Sequence, residues 1–138
     1  MKPATVTAIA LGLLAAGCAT PSDTSDPLLE MFNGVPAARA DQIAAGLNRH
    51  PLGSAANPVR VNMPEGQRAY LSRLRCADAR APQFQRIGSM GVGPYGQIVD
   101  AYDVRCTGPT PASSTLHLDM YHPTHVETHA PPGFTIVP

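Results

Sequence analysis

Four of the chain's five histidines crowd into one stretch, His117-Leu118-Asp119-Met120-Tyr121-His122-Pro123-Thr124-His125-Val126-Glu127-Thr128-His129, together with two carboxylates. Neutral imidazoles beside a carboxylate are a donor set suited to Zn²⁺, Cu²⁺ or Ni²⁺. On extended backbone His117 and Asp119 share a face, and so do His125, Glu127 and His129. The candidate metal ligands are therefore His117, Asp119, His122, His125, Glu127 and His129. Their spacing matches no specific metal motif. Pro123, Pro131 and Pro132 point to irregular backbone, so exposed histidines at a sheet end are the competing reading. Protonation of these imidazoles near pH 6 would also reverse the local charge.

Two glycine-rich segments imitate catalytic motifs and fail on context. Gly91-Val92-Gly93-Pro94-Tyr95-Gly96 matches G-x-G-x-x-G. A dinucleotide site needs a helix immediately after it, whose first N–H groups hold the pyrophosphate. Here a β-branched run follows, and Pro94 removes one donor, which makes the segment a hairpin loop. Gly88-Ser89-Met90-Gly91 is not a nucleophile elbow either. No nucleophile, base and oxyanion donor can be assembled from linear spacing, and the expectation is a protein that is not an enzyme.

Ten basic residues balance ten acidic ones in 138, which excludes non-specific nucleic-acid binding as a main role. The charge is unevenly spread. Arg60, Arg68, Arg73, Arg75, Arg80 and Arg86 face only Glu65 and Asp78, whereas the remainder from Ile87 has Arg105 against four acids. Either the two halves pair with each other, or the arginines form a face for anionic envelope polymers or lipid headgroups.

That envelope setting comes from the N-terminus. Lys2 and the chain amine precede an uncharged apolar run, Val6 to Ala16. Eleven helical residues span only about 16 Å, too short for a bilayer core but suited to a secretory signal. Leu14-Ala15-Ala16-Gly17-Cys18 resembles the lipobox of bacterial lipoproteins, although Ala15 stands where that family usually has Leu. The resemblance implies cleavage before Cys18, which would carry diacylglycerol and an N-acyl chain. Ala19 after it implies sorting to the outer membrane, with the domain facing the periplasm. An ordinary secretory signal with an incidental Cys18 is the alternative.

On this reading residues 1–17 are signal peptide, 18–27 are lipid anchor and flexible tether, and 28–138 form one small periplasmic domain. With Cys18 used for lipid, Cys76 and Cys106 remain, and an even pair in an exported protein reads as a disulfide. It would close a loop of about 30 residues, worth roughly 3.5–4 kcal/mol in the chain-entropy model. Glycine and proline make up 24 of the 121 mature residues, which predicts short elements and much irregular backbone.

The elements follow from punctuation and period. Pro36 suits the first position of a helix running to about Asn48, with Val35, Ala38, Ile43 and Leu47 as its packed stripe. Val59-Arg60-Val61 reads as a short edge strand, and Met63 to Gly66 as a turn or brief helical start. Alternation across Tyr70 to Cys76 suggests a strand whose first half could be helical. Gln97 to Cys106 is the clearest strand, with Ile98, Tyr102, Val104 and Cys106 on one face and Phe84 to Val92 as hairpin partner. Thr115 to Tyr121 alternates again, Leu116, Leu118 and Met120 inward, His117, Asp119 and Tyr121 outward. The predicted fold class is α+β, a small antiparallel sheet of about four strands with one N-terminal helix.

The mature chain also resembles small uncharacterised lipoproteins of Gram-negative bacteria. The segments that carry this are Asn57-Pro58-Val59-Arg60, Leu74-Arg75-Cys76-Ala77-Asp78, Gly93-Pro94-Tyr95-Gly96 and Asp119-Met120-Tyr121-His122-Pro123. That resemblance implies a folded domain and no particular chemistry. The expected role is binding or assembly in the cell envelope, with the membrane, envelope proteins or anionic envelope polymers as partners and no cofactor. A periplasmic transition-metal binder using the histidine cluster is the alternative.

Overall fold

The computed structural model describes residues 33–108 and 112–138. The signal, lipidation and tether readings fall outside these residues. In chain order the elements are α1 (Ala37–Leu47), β1 (Val59–Arg60), α2 (Met63–Arg73), β2 (Leu74–Arg75), β3 (Gln83–Val92), β4 (Ile98–Cys106), β5 (Ala112–Asp119) and β6 (Thr135–Ile136). Four strands form one sheet in the order β1-β5-β4-β3, and β2 pairs antiparallel with β6 in a separate ribbon. The sheet is antiparallel except at its edge, where β1 runs parallel to β5. Mixed helix and sheet were expected. Among the described residues no helix is long and apolar enough to cross a membrane.

Tyr70 to Cys76 divides between the two readings open to it: the first half is helical, since α2 runs to Arg73, and only Leu74 and Arg75 are extended. The buried residues Gln67, Tyr70, Leu71 and Leu74 recur at three- and four-residue intervals, the helical period, which outweighs the alternation of the final four residues. Pro64 opens the helix, with Glu65 in its first turn and Arg73 in its last, each suiting the local end of the helix dipole. The single predicted helix thus becomes two. The α1 stripe is also shifted: Ala40, Ile43, Ala44 and Leu47 pack with Val35 and Tyr95, and Ala38 is exposed.

Helix α2 covers one face of the sheet. Residues directly opposite in adjacent strands share a face, so Tyr102 lies beside Leu116 and Val104 beside Ser114. Tyr70, Leu71 and Leu74 pack on Tyr102, Val104, Leu116 and Leu118 to form the main core. Phe84 meets Tyr102 edge to face at 6.4 Å between ring centroids. A buried polar network crosses this interface. Gln67 Nε2 donates to Asp100 Oδ2 at 3.0 Å, and the Tyr102 hydroxyl donates to Gln67 Oε1 at 2.9 Å. Arg86 and Ser89 complete Asp100 at 2.7 and 3.1 Å. Burial alone would raise the Asp100 pKa, but the Arg86 guanidinium, Gln67 and Ser89 hold it below the ordinary carboxylate value.

Among the described residues, the opposite face is covered at one end. Val99 and Asp119 lie side by side there, under the hairpin loop that carries Tyr95 and under the α1 cluster. The loop approaches so closely that a Cβ on Gly93 would run into the Val99 side chain. Asp119 is therefore fully buried, not outward-facing and exposed. Ile98 shares the face of Tyr102 and Val104, as expected, but lies outside the core. It is 44% exposed, because β3 and β4 lose register between Ser89 and Val92 and the hairpin end extends past the core. The Cys76–Cys106 disulfide is present, with Cα atoms 5.8 Å apart, and joins the end of the α2–β2 unit to the end of β4.

Candidate functional site

The residues between β5 and β6 form no helix or strand, yet they are firmly placed. The Tyr70 hydroxyl donates to the His129 carbonyl at 2.9 Å, and Arg73 donates to the carbonyls of Glu127 and Val137 at 3.2 and 3.0 Å. Helix α2 thus holds residues 125–129 by their backbone and leaves their side chains free to face α1. Between them lies a cleft of about 560 Å³. Asp41 of α1 and Asn48, just past its end, line one side, His125, Glu127 and His129 the other, with His50, Asn57 and Arg60 also contributing.

Glu127 is the centre of the second wall, its side chain only 10% exposed. His125 Nε2 lies 3.2 Å from one carboxylate oxygen. The other oxygen accepts from the backbone N–H groups of Thr128 and His129 and faces His129 Nδ1, each at 3.0 Å. Burial pushes the Glu127 pKa up, but the hydrogen bonds from His125 and His129 outweigh it and bring it down to about 2. A carboxyl whose folded value lies below its ordinary 4.5 stabilises the fold above pH 4.5 and loses that contribution as pH falls toward 2. Allowing for solvent around His129, the contribution is about 2 kcal/mol. Glu127→Gln is expected to flatten the acid limb of the stability–pH curve over that window, as read by urea melts at pH 2 to 6.

Arg60, on β1, reaches across to Asp41 on α1 at 2.7 Å. Asp41 is exposed, and the Arg60 hydrogen bond keeps its carboxyl below the usual range. Asn57 is buried at the turn that leads into β1. Its amide donates to the His50 carbonyl at 3.0 Å, and its backbone bonds with Gly53 and Ser54 close the loop that forms the cleft floor.

The six histidine and acid candidates are divided among three places. His125, Glu127 and His129 are together on the cleft wall. His117 lies elsewhere, its ring nitrogen 3.3 Å from the Gly53 carbonyl. Asp119 and His122 form a buried pair with Nε2 and Oδ1 3.4 Å apart, and the His122 ring stands edge-on to Tyr95 at 4.7 Å. Asp119 Oδ1 accepts from the Tyr121 N–H at 3.1 Å, while Asp119 Oδ2 and both His122 ring nitrogens are buried without a hydrogen-bond partner among the described residues. No three of the described histidines, cysteines and acids are preassembled as a metal set.

Sequence spacing could not reveal Asp41, Asn48, Asn57 and Arg60 as parts of the site, because they lie more than sixty positions before His125 and meet residues 125–129 only in the fold. Of the arginines, Arg60 and Arg86 are committed to acids, and Arg73 and Arg75 spend their donors on carbonyls. Arg86 with Asp100 does join the basic and acidic halves. Comparisons with protein-family models, with curated proteins and with solved structures found no match to this chain.

Proposed function

We propose that the chain is an outer-membrane lipoprotein, anchored through Cys18, whose periplasmic domain is a non-enzymatic binding module with this cleft as its site. The cleft itself is the observation that carries the reading. About 560 Å³ falls in the range of sites for small molecules or short polymer segments. Its walls alternate aliphatic surface (Ala44, Leu52, Pro58, Val126) with amide, imidazole and carboxylate groups. Glu127, with its pKa near 2, is matched to accepting hydrogen bonds and not to proton transfer at neutral pH. The candidate ligands are anionic envelope polymers or segments of envelope proteins.

A second reading rests on His125 and His129, whose ring nitrogens both meet the Glu127 carboxylate at 3.0–3.2 Å. Spacings of about 3 Å between donor atoms are those of neighbouring ligands on Zn²⁺, Cu²⁺ or Ni²⁺, with bonds of about 2.0–2.2 Å. One experiment separates the readings: amide NMR spectra of the tag-free mature chain carrying Cys18→Ser, titrated with soluble peptidoglycan fragments and, separately, with zinc chloride. Shifts from the glycan probe clustered on Asn48, Arg60 and residues 125–129 support the binding module. A glycan response confined to other surfaces, or none, counts against the cleft. The metal reading requires stoichiometric zinc and a melting temperature raised by about 10 °C at a hundredfold excess over Kd, both abolished by His125→Ala.

A further inference from the structure

Strand β3 is the longest in the fold, and it contributes least to the core. Along its ten residues only Phe84 and Gly88 are even partly buried. Ile87, Met90 and Val92 are 59, 58 and 74% exposed, and Ile98 across the hairpin is 44% exposed. Ile87 and Met90 sit at the two places where β3 and β4 lose register, so irregular backbone turns these apolar side chains outward. From Ile87 through Val99 the sequence has no charged residue and no histidine. Beyond β3, among the described residues, no further strand pairs with the sheet.

Natural edge strands are blunted by charge, by proline, by β-bulges or by being short. The other edge of this sheet obeys that rule, because β1 has only two residues. On β3 the bulges leave the Gln83–Arg86 half regular, and its only charged residue, Arg86, is already neutralised by Asp100 at 2.7 Å. An open row of backbone donors and acceptors selects an extended strand as its occupant. An uncharged patch selects a partner that is itself uncharged and apolar.

We propose that β3 is a self-association surface, pairing with β3 of a second copy about a two-fold axis. Strand β3 meets both conditions for its own partner. Because the opposite sheet edge is only two residues long, the pairing is isologous and closes at two copies, with no filament. The bulges restrict regular pairing to the Gln83–Arg86 half, which sets the axis there, while Ile87 and Met90 flank the paired residues and pack on the partner. The interface is therefore small, and the dimer is weak and concentration-dependent.

The test is sedimentation equilibrium of the tag-free mature chain with Cys18→Ser, so that no acyl chain drives association, together with amide hydrogen exchange at low and high concentration. The expected result is a monomer–dimer equilibrium below ~1 mM, with exchange slowed across Gln83–Val92 at high concentration. Ile87→Lys with Met90→Lys should weaken the dimer at least tenfold and leave the melting temperature of dilute protein unchanged. Met63→Lys, which changes an exposed apolar residue elsewhere, should leave the dimer intact. A monomer throughout would overturn the proposal, as would a dimer that survives both lysines or leaves β3 exchange unchanged. Pairing of β3 with another segment of its own chain would register as the first of these outcomes.

Discussion

Cys106→Ser is expected to lower the stability of the oxidised domain by about 3.5–4 kcal/mol, and its melting temperature by about 15 °C or more. The bridge closes a separation of 30 residues, and severing it returns that loop's freedom to the unfolded chain. The native geometry adds a reason specific to this fold. Strand β2 has two residues and pairs only with the two of β6, so it cannot fix the end of α2 by backbone hydrogen bonds alone. Cys76 ties that end to β4, where Cys106 is buried beside the main core. Cys76→Ser should match Cys106→Ser, and a reducing agent should bring the unmodified chain to the same melting curve. Melts of the three samples that coincide with the oxidised parent would show that the bridge contributes nothing.

Asp100→Ala has the next largest expected effect, a loss of about 3 kcal/mol. Asp100 accepts from Gln67, Arg86 and Ser89, and Gln67 in turn accepts from Tyr102. Removing the carboxylate leaves the Gln67 amide, 1% exposed, without an acceptor under α2. Arg86 is half exposed and recovers water, which keeps the cost below that of a fully buried broken pair. Asp100→Asn keeps an acceptor and should cost about 1 kcal/mol. Because the folded pKa of Asp100 is depressed, its contribution holds above the ordinary carboxylate value and is lost as pH falls below it. The gap between the parent and the Ala and Asn variants should therefore narrow in acid. Chemical denaturation at pH 7 and pH 3 measures both; equal stability of all three at pH 7 would contradict the network.

The parts of the fold legible in the sequence are those in which one local pattern decides. Alternation in β4 and β5, the Gly93–Gly96 turn and Pro36 before α1 each mark an element the structure contains. Helix α2 was hidden because Tyr70, Ser72, Leu74 and Cys76 alternate as a strand would, and the helical spacing back to Gln67 involves a polar residue. Gln67 is buried only because Asp100 and Tyr102, more than thirty positions away, satisfy it. Asp119 lies on the face opposite Leu118, as alternation requires, but its burial depends on where the Tyr95 loop and α1 come to rest. The same limit applies to the cleft. His125, Glu127 and His129 could be grouped from their two-residue spacing, whereas Arg60 and Asp41 meet only because β1 lies beside α1.

Under the proposed function, Cys18 holds this domain at a membrane. The direct measurement is the intact mass of the mature protein extracted from the envelope of its native host, with metabolic acyl labelling of the parent and of Cys18→Ser. The prediction is an N-terminal cysteine carrying diacylglycerol and an N-acyl chain, and no label on the variant. A mature N-terminus at another residue without acyl mass, or undiminished labelling of Cys18→Ser, would contradict it.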